Sequence, residues 1–166
     1  LEDSVQAYPD VVLPPKGTPN VVFVVLDDVG YAQIGCFGSD IETPNFDRLA
    51  EDGLRYRSFH TTAMCSPTRA CLLTGRNQHR VGFGSIAEYP GPFPGYTASK
   101  PKSCAGFPRI LRDNGYVTGM IGKWHLGDNA PHRPQDRGFQ DVVWHRCGGV
   151  GQASDYWGND YFDDTY

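Results

Sequence analysis

The sharpest feature in the pattern of apolar and polar positions is Val21 to Leu26 (VVFVVL), an unbroken β-branched and apolar run. Such a run predicts a central strand of a parallel sheet, covered by helices on both faces. Further on, Phe46, Leu49 and Ala50 share one helical face behind Thr43-Pro44. A threonine cap, a proline at the first helical position and a stop at Gly53 predict a helix there. Leu54 to Phe59 alternates in the manner of a strand, and Pro67 to Thr74 reads as a short helix. Phe107 to Asn114 reads as a helix stopped by Gly115, and Val117 to Ile121 as a second apolar strand. Residues 1–19 carry prolines outside any periodic pattern and read as an extended arm leading into one domain over 20–166. Strands alternating with helices predict an α/β fold. Ligands in such folds gather beyond the carboxyl ends of the strands, which puts Asp27 and Asp28, and Lys123 to His125, where chemistry is expected.

Composition narrows the classes. The formal charge is -4 and the basic residues are scattered, so no nucleic-acid surface is indicated and an anionic substrate would need local positive charge. The longest apolar run is far too short to span a bilayer, and Leu1 to Asn20 lacks the apolar core of a signal peptide. A soluble chain is expected, its compartment open between cytoplasmic and, after signal removal, periplasmic or secreted, with the reading leaning to cytoplasmic. Five cysteines make an odd set without a CxxC pair, so a disulfide framework is not expected.

Asp27 and Asp28 follow the apolar run directly. Carboxylates about 4 Å apart repel by roughly 4 kcal/mol at an effective dielectric of 20, a conflict that a cation removes. Both can serve one site only if the strand ends near Leu26 and the backbone turns, since strand neighbours point to opposite faces. All-oxygen coordination favours Ca²⁺ or Mg²⁺ over zinc. The plainer alternative is one aspartate capping a loop and one solvated.

Cys65-Ser66-Pro67-Thr68-Arg69, extended through CSPTRACLLTGR, resembles the C-x-P-x-R signature of type I, formylglycine-dependent sulfatases. Gly122-Lys123-Trp124-His125-Leu126-Gly127 is similar to that family's second signature, the Asp27-Asp28 pair to its third landmark, and HRPQDRGF at 132–139 continues the likeness. The chain thus resembles the N-terminal part of an arylsulfatase-like catalytic domain of the alkaline-phosphatase-like superfamily. The resemblance implies an α/β fold with a mixed, largely parallel sheet sandwiched by helices. It also implies hydrolysis of small-molecule sulfate esters, a maturation enzyme that oxidises Cys65 to formylglycine, and a bound cation, Ca²⁺ ahead of Mg²⁺. The implied catalytic residues are Cys65, Arg69, Lys123 and His125, with Lys123 and His125 also on the substrate; the implied metal ligands are Asp27, Asp28 and the modified Cys65.

The residue types suit that chemistry. A thiolate attacking sulfur would form a thiosulfate with no easy release, whereas a hydrated aldehyde attacks through one hydroxyl and keeps a second. Deprotonating the second expels sulfate and restores the aldehyde, splitting one difficult step into two. A metal touching the hydrate would lower its pKa. Pro67 opening a helix would set Cys65 beside an anion-attracting N-terminus, with Arg69 one turn on. Lys123 and His125, two apart on an extended chain, would share a side opposite Trp124. Alone, such a pair is more often solvated surface; beside the cysteine signature the functional reading is preferred.

Members of the family are several times longer, and their second half adds an Asp-Asn or Asp-Gln pair, a His and a Lys. The expectation is therefore a fragment that binds metal poorly and turns over little alone. The rivals are a formylglycine-dependent phosphonate monoester or phosphodiester hydrolase and a truncated, non-catalytic chain. His60, His79, His132 and His145 lack metal-ligand spacing, Cys71 reads as a small core residue, and Cys36, Cys104 and Cys147 as loop thiols. Arg76, Asn77 and His79 are read as shaping residues, and Tyr156, Trp157, Tyr161 and Phe162 as cleft lining or core cover.

Overall fold

The computed structural model describes residues 12–146 and 148. Among them are three helices, α1 (Pro44–Asp52), α2 (Cys65–Thr74) and α3 (Phe107–Asp113), and two strands, β1 (Gly119–Lys123) and β2 (Asp141–His145). Short 3-10 turns lie at Tyr31–Gln33, Gly35–Phe37, Gln78–Val81 and Gln135–Arg137. The two strands pair in parallel, from Gly119 opposite Asp141 to Lys123 opposite His145. Parallel strands with helices beside them make the chain α/β, as the alternation predicts. A parallel pair requires a crossover; residues 124–140 supply it with loop and a 3-10 turn rather than a helix.

Local chemistry explains the helix limits. α1 starts with Pro44 at a position that needs no N–H, and ends before Gly53. Thr43 precedes it but does not cap it. Its hydroxyl accepts from the Gly35 N–H at 2.8 Å and donates to Asp47 at 3.1 Å, tying the Gly35–Phe37 turn to the helix. α2 begins at Cys65, two residues earlier than the proline suggests, so Pro67 sits inside the first turn. It ends in a left-handed Gly75 whose N–H bonds the Cys71 carbonyl at 2.8 Å.

The core gathers Ala70 from α2, Val81 from the 3-10 turn Gln78–Val81, Phe83 and Cys104 from loops, Trp124 and Leu126 just past β1, and Trp144 from β2. Trp124 meets Phe139 edge-on, ring centroids 6.1 Å apart, and donates its indole N–H to the His132 carbonyl at 2.9 Å. Gly138 lets the crossover close on α3. A Cβ there would land on the Arg109 backbone, and its φ of 117° suits glycine alone. Thr118, buried beside it, donates to the Gly138 carbonyl at 2.8 Å.

Two strand expectations fail. Val21 to Leu26 joins no ladder among the described residues, and its side chains are exposed, Val22 to 82%. Composition suits it to a strand, yet a strand exists only where its N–H and C=O groups find partners, and here the run faces β1 across an open cleft. That cleft, about 650 Å³, is lined by Val21, Phe23, Val25, Met120 and Ile121, and the Phe23 ring lies 5.0 Å from that of Phe107 in α3. Leu54 to Phe59 also forms no strand, and Leu54, Tyr56 and Phe59 are exposed, for the same want of a neighbour. The second apolar strand is real but sits two residues later than Val117 to Ile121. β2 was not foreseen. Cys147 and the aromatic stretch from Tyr156 to Phe162 lie outside the described residues. No helix among those described is long and apolar enough to cross a membrane.

Candidate active site

The backbone after the apolar run turns at Asp28, whose φ of 53° is rare for a residue with a Cβ. Such a turn is the condition on which neighbouring aspartates could address one region. Asp27 is the point of convergence. The Lys123 ammonium donates to its Oδ2 at 2.7 Å, and Arg69 donates to its Oδ1 at 3.4 Å. Arg69 also donates to the Lys123 main-chain carbonyl at 2.7 Å, locking α2 to the end of β1. Lys123 and Arg69 are largely enclosed, their side chains 7% and 12% exposed, while Asp27 stays open at 38%. Burial works to raise the Asp27 carboxyl, but the Lys123 hydrogen bond and charge, with Arg69, outweigh it and hold it below the usual carboxylate value.

Cys65 opens α2 and Arg69 follows four residues later, so the two share a face of that helix. The half-buried thiol is free, as are those of Cys36, Cys71 and Cys104. Ser66, fully buried, accepts from the Ala87 N–H at 3.1 Å. That bond pins the loop 82–101 to the start of α2 and delivers the next residue, Glu88, to His125.

His125 departs from the extended geometry assumed for it. β1 stops at Lys123, and His125 takes a φ of 60°, so alternation along a strand no longer decides where its ring points. The ring is buried at 2% exposure, and its Nε2 lies 2.6 Å from Glu88 Oε1. Its Nδ1 is buried without a hydrogen-bond partner among the described residues. Burial pushes the imidazole pKa down, Glu88 pulls it up, and Lys123 and Arg69 push it down again; the net is below the ordinary histidine value.

The structure therefore brings Asp27, Arg69 and Lys123 into direct contact, places Cys65 on the Arg69 face, and sets His125 against Glu88. Sequence reasoning missed Glu88 and the purpose of Ser66. Glu88 stands in a Gly/Pro-rich loop, 37 residues from its histidine, with no spacing signal that could have found it. His79 instead bonds the Tyr96 hydroxyl at 3.1 Å, and His132 accepts from Arg137 at 2.7 Å.

Two adjacent carboxylates are the right donors for a hard cation but too few for a six- to eight-oxygen shell. No group of three or more His, Cys, Asp or Glu able to hold a metal occurs among the described residues, and both Asp27 oxygens already bond cationic side chains. These residues do not by themselves compose a calcium site.

Comparison with known proteins gives a consistent picture. A family model described as Sulfatase matches residues 19–165. An uncharacterized sulfatase of Schizosaccharomyces pombe is 43% identical over 130 residues, covering 74% of this chain and 24% of that protein. Human arylsulfatase A is 39% identical over 142 residues, covering 82% of this chain and 26% of its own. The solved PsFucS1 sulfatase from Pseudoalteromonas sp. superposes with a TM-score of 0.59 at 28% identity, over 72% of this chain and 24% of that one. The chain spans about a quarter of the length of these relatives.

Proposed function

This chain belongs to the sulfatase family, and from that premise we propose that it carries the nucleophile and the sulfate-binding cations of a sulfate-ester hydrolase of arylsulfatase type. The observation that supports this most is the meeting at Asp27 of Lys123 at 2.7 Å and Arg69 at 3.4 Å, joining the three separate sequence landmarks in one place. It also supplies the local positive charge that an anionic ester needs in a chain of net charge -4.

In this reading Cys65 is oxidised by a maturation enzyme to formylglycine, whose hydrate attacks sulfur through one hydroxyl as the alcohol leaves. His125 takes the proton of the second hydroxyl; the carbonyl re-forms, and the C–O bond to sulfate breaks. Lys123 holds a sulfate oxygen as a point charge. Arg69 orients the hydrate from one turn along α2 and keeps Lys123 in place through its carbonyl. Asp27 and Asp28 are the carboxylates this chain would offer to a divalent cation, Ca²⁺ ahead of Mg²⁺, with the modified Cys65 as a further ligand. The cation would supply charge neutralisation at the sulfate.

Coexpression with a formylglycine-generating enzyme, followed by peptide mass spectrometry, tests the nucleophile: the peptide containing Cys65 should lose roughly 18 Da on conversion of thiol to aldehyde. A product of the relatives' length containing these residues should then turn over p-nitrophenyl sulfate faster than phenyl phosphonate esters. A thiol left intact beside an active maturation enzyme, or a preference for the phosphonate, defeats the proposal.

A further inference from the structure

The buried imidazole of His125 has two nitrogens in unlike surroundings. Nε2 lies 2.6 Å from a carboxylate oxygen of Glu88, and a carboxylate can only accept, so Nε2 carries the hydrogen. Nδ1 is then the bare nitrogen, enclosed and without a partner among the described residues. A neutral, buried acceptor left unpaired is costly, and a fold retains one where a ligand or reacting group completes the bond.

The scaffold behind this arrangement is specific. Glu88 is brought to the ring by its neighbour Ala87, whose N–H is held at 3.1 Å by fully buried Ser66. Ser66 is the residue next to the cysteine in the signature, so the start of α2 sets both the nucleophile and, through two bonds, the orientation of the histidine. We propose that Glu88 is a positioning residue for His125, fixing the tautomer that leaves the Nδ1 lone pair free to take the hydrate's proton. This assignment rests on the sulfatase reading for the identity of the proton donor. The charged groups that act on the ring are Glu88 from its loop, Lys123 from the end of β1 and Arg69 from α2. Glu88 is the one anion among them and opposes both cations.

Long-range ¹⁵N–¹H NMR of the His125 imidazole reads the tautomer with no substrate present. Above its titration the unsubstituted chain should show one neutral tautomer, bare at Nδ1. Glu88→Ala should give a mixture of tautomers, and Glu88→Gln, which keeps the size and an acceptor oxygen but not the charge, should keep the tautomer while His125 titrates at lower pH. A ring bare at Nε2, or a spectrum and titration unmoved by either substitution, overturns the assignment. In a matured product of the relatives' length, Glu88→Gln should lower kcat about tenfold with KM little changed. It should also move the acidic limb of the pH profile downward, with Glu88→Asp recovering part of the rate. A KM effect alone, with the limb unmoved, counts against positioning. The ring spectra require no turnover, so their failure removes Glu88 only. An unsubstituted, aldehyde-bearing protein that leaves sulfate esters intact removes the sulfatase reading instead.

Discussion

Two segments, Val21 to Asp28 and Lys123 to Leu126, look alike in sequence: apolar residues beside charged ones where strands were expected to end. In the structure they are opposites. Trp124, His125 and Leu126 are all buried, whereas every apolar residue from Val21 to Leu26 is at least 42% exposed. The difference teaches how each half of the site is held. His125 is fixed by packing and by a carboxylate from the loop that Ser66 of α2 tethers; Asp27 is held by two ion pairs beside an open cleft.

The largest test of this contrast concerns chemistry rather than stability. Cys65→Ala should abolish sulfate-ester turnover in a matured product of the relatives' length while leaving the melting curve of the chain nearly unchanged, because the thiol is only half-buried. A surviving rate above background would remove Cys65 from the mechanism. Next come paired truncations of aromatics. Phe83→Ala or Trp124→Ala should cost about 3–5 kcal/mol in a denaturant melt, since each leaves a cavity in the packed cluster. Phe23→Ala should cost well under about 1 kcal/mol, its ring being half exposed. Equal costs would erase the distinction between the two segments.

Ser66→Ala probes the link between them and should cost about 1–3 kcal/mol by orphaning the Ala87 N–H. It should also broaden the His125 resonances; an unmoved ring would show that Glu88 needs no such tether. The smaller effects are pH-dependent. His125 has a folded pKa below its unfolded value near 6.5, so the unfolded state binds the proton more readily and stability falls as pH drops through that window. His132, depressed by burial and by Arg137, adds to the same trend. Melts at pH 7.5 and 5.5 should differ, and His125→Gln should remove part of the difference. Asp27 has the depressed carboxylate pattern: its contribution is present above an unfolded value of about 3.9 and is lost as pH falls through the folded one. Its exposure limits that contribution to about 1 kcal/mol or less, and Lys123→Met should remove most of it, leaving the Arg69 pair.

Legibility followed the range of the interactions concerned. Most of the helix over Cys65–Thr74 could be read, as Pro67 to Thr74, because its proline and its terminal glycine lie within a dozen residues. Asp27, Arg69 and Lys123 could be picked out as types through the family likeness, but no spacing rule brings residues 96 positions apart to 2.7 Å. His125 shows the limit most clearly. Two-residue alternation gives the wrong geometry once a left-handed φ intervenes, and its partner Glu88 carries no mark in a loop chosen for turns.

By itself, then, the sequence determined the α/β class, the places of the local helices to within two residues, and the short set of residues proposed to carry the chemistry. Those depend on side-chain types and on contacts within one or two turns. The tertiary structure alone decided that Val21 to Leu26 lies open rather than laddered, that Asp27 rests on two cations, and that a glutamate orients the histidine. Each of these is a pairing across the fold, and pairing energies are set by where distant segments come to lie, which no local preference encodes.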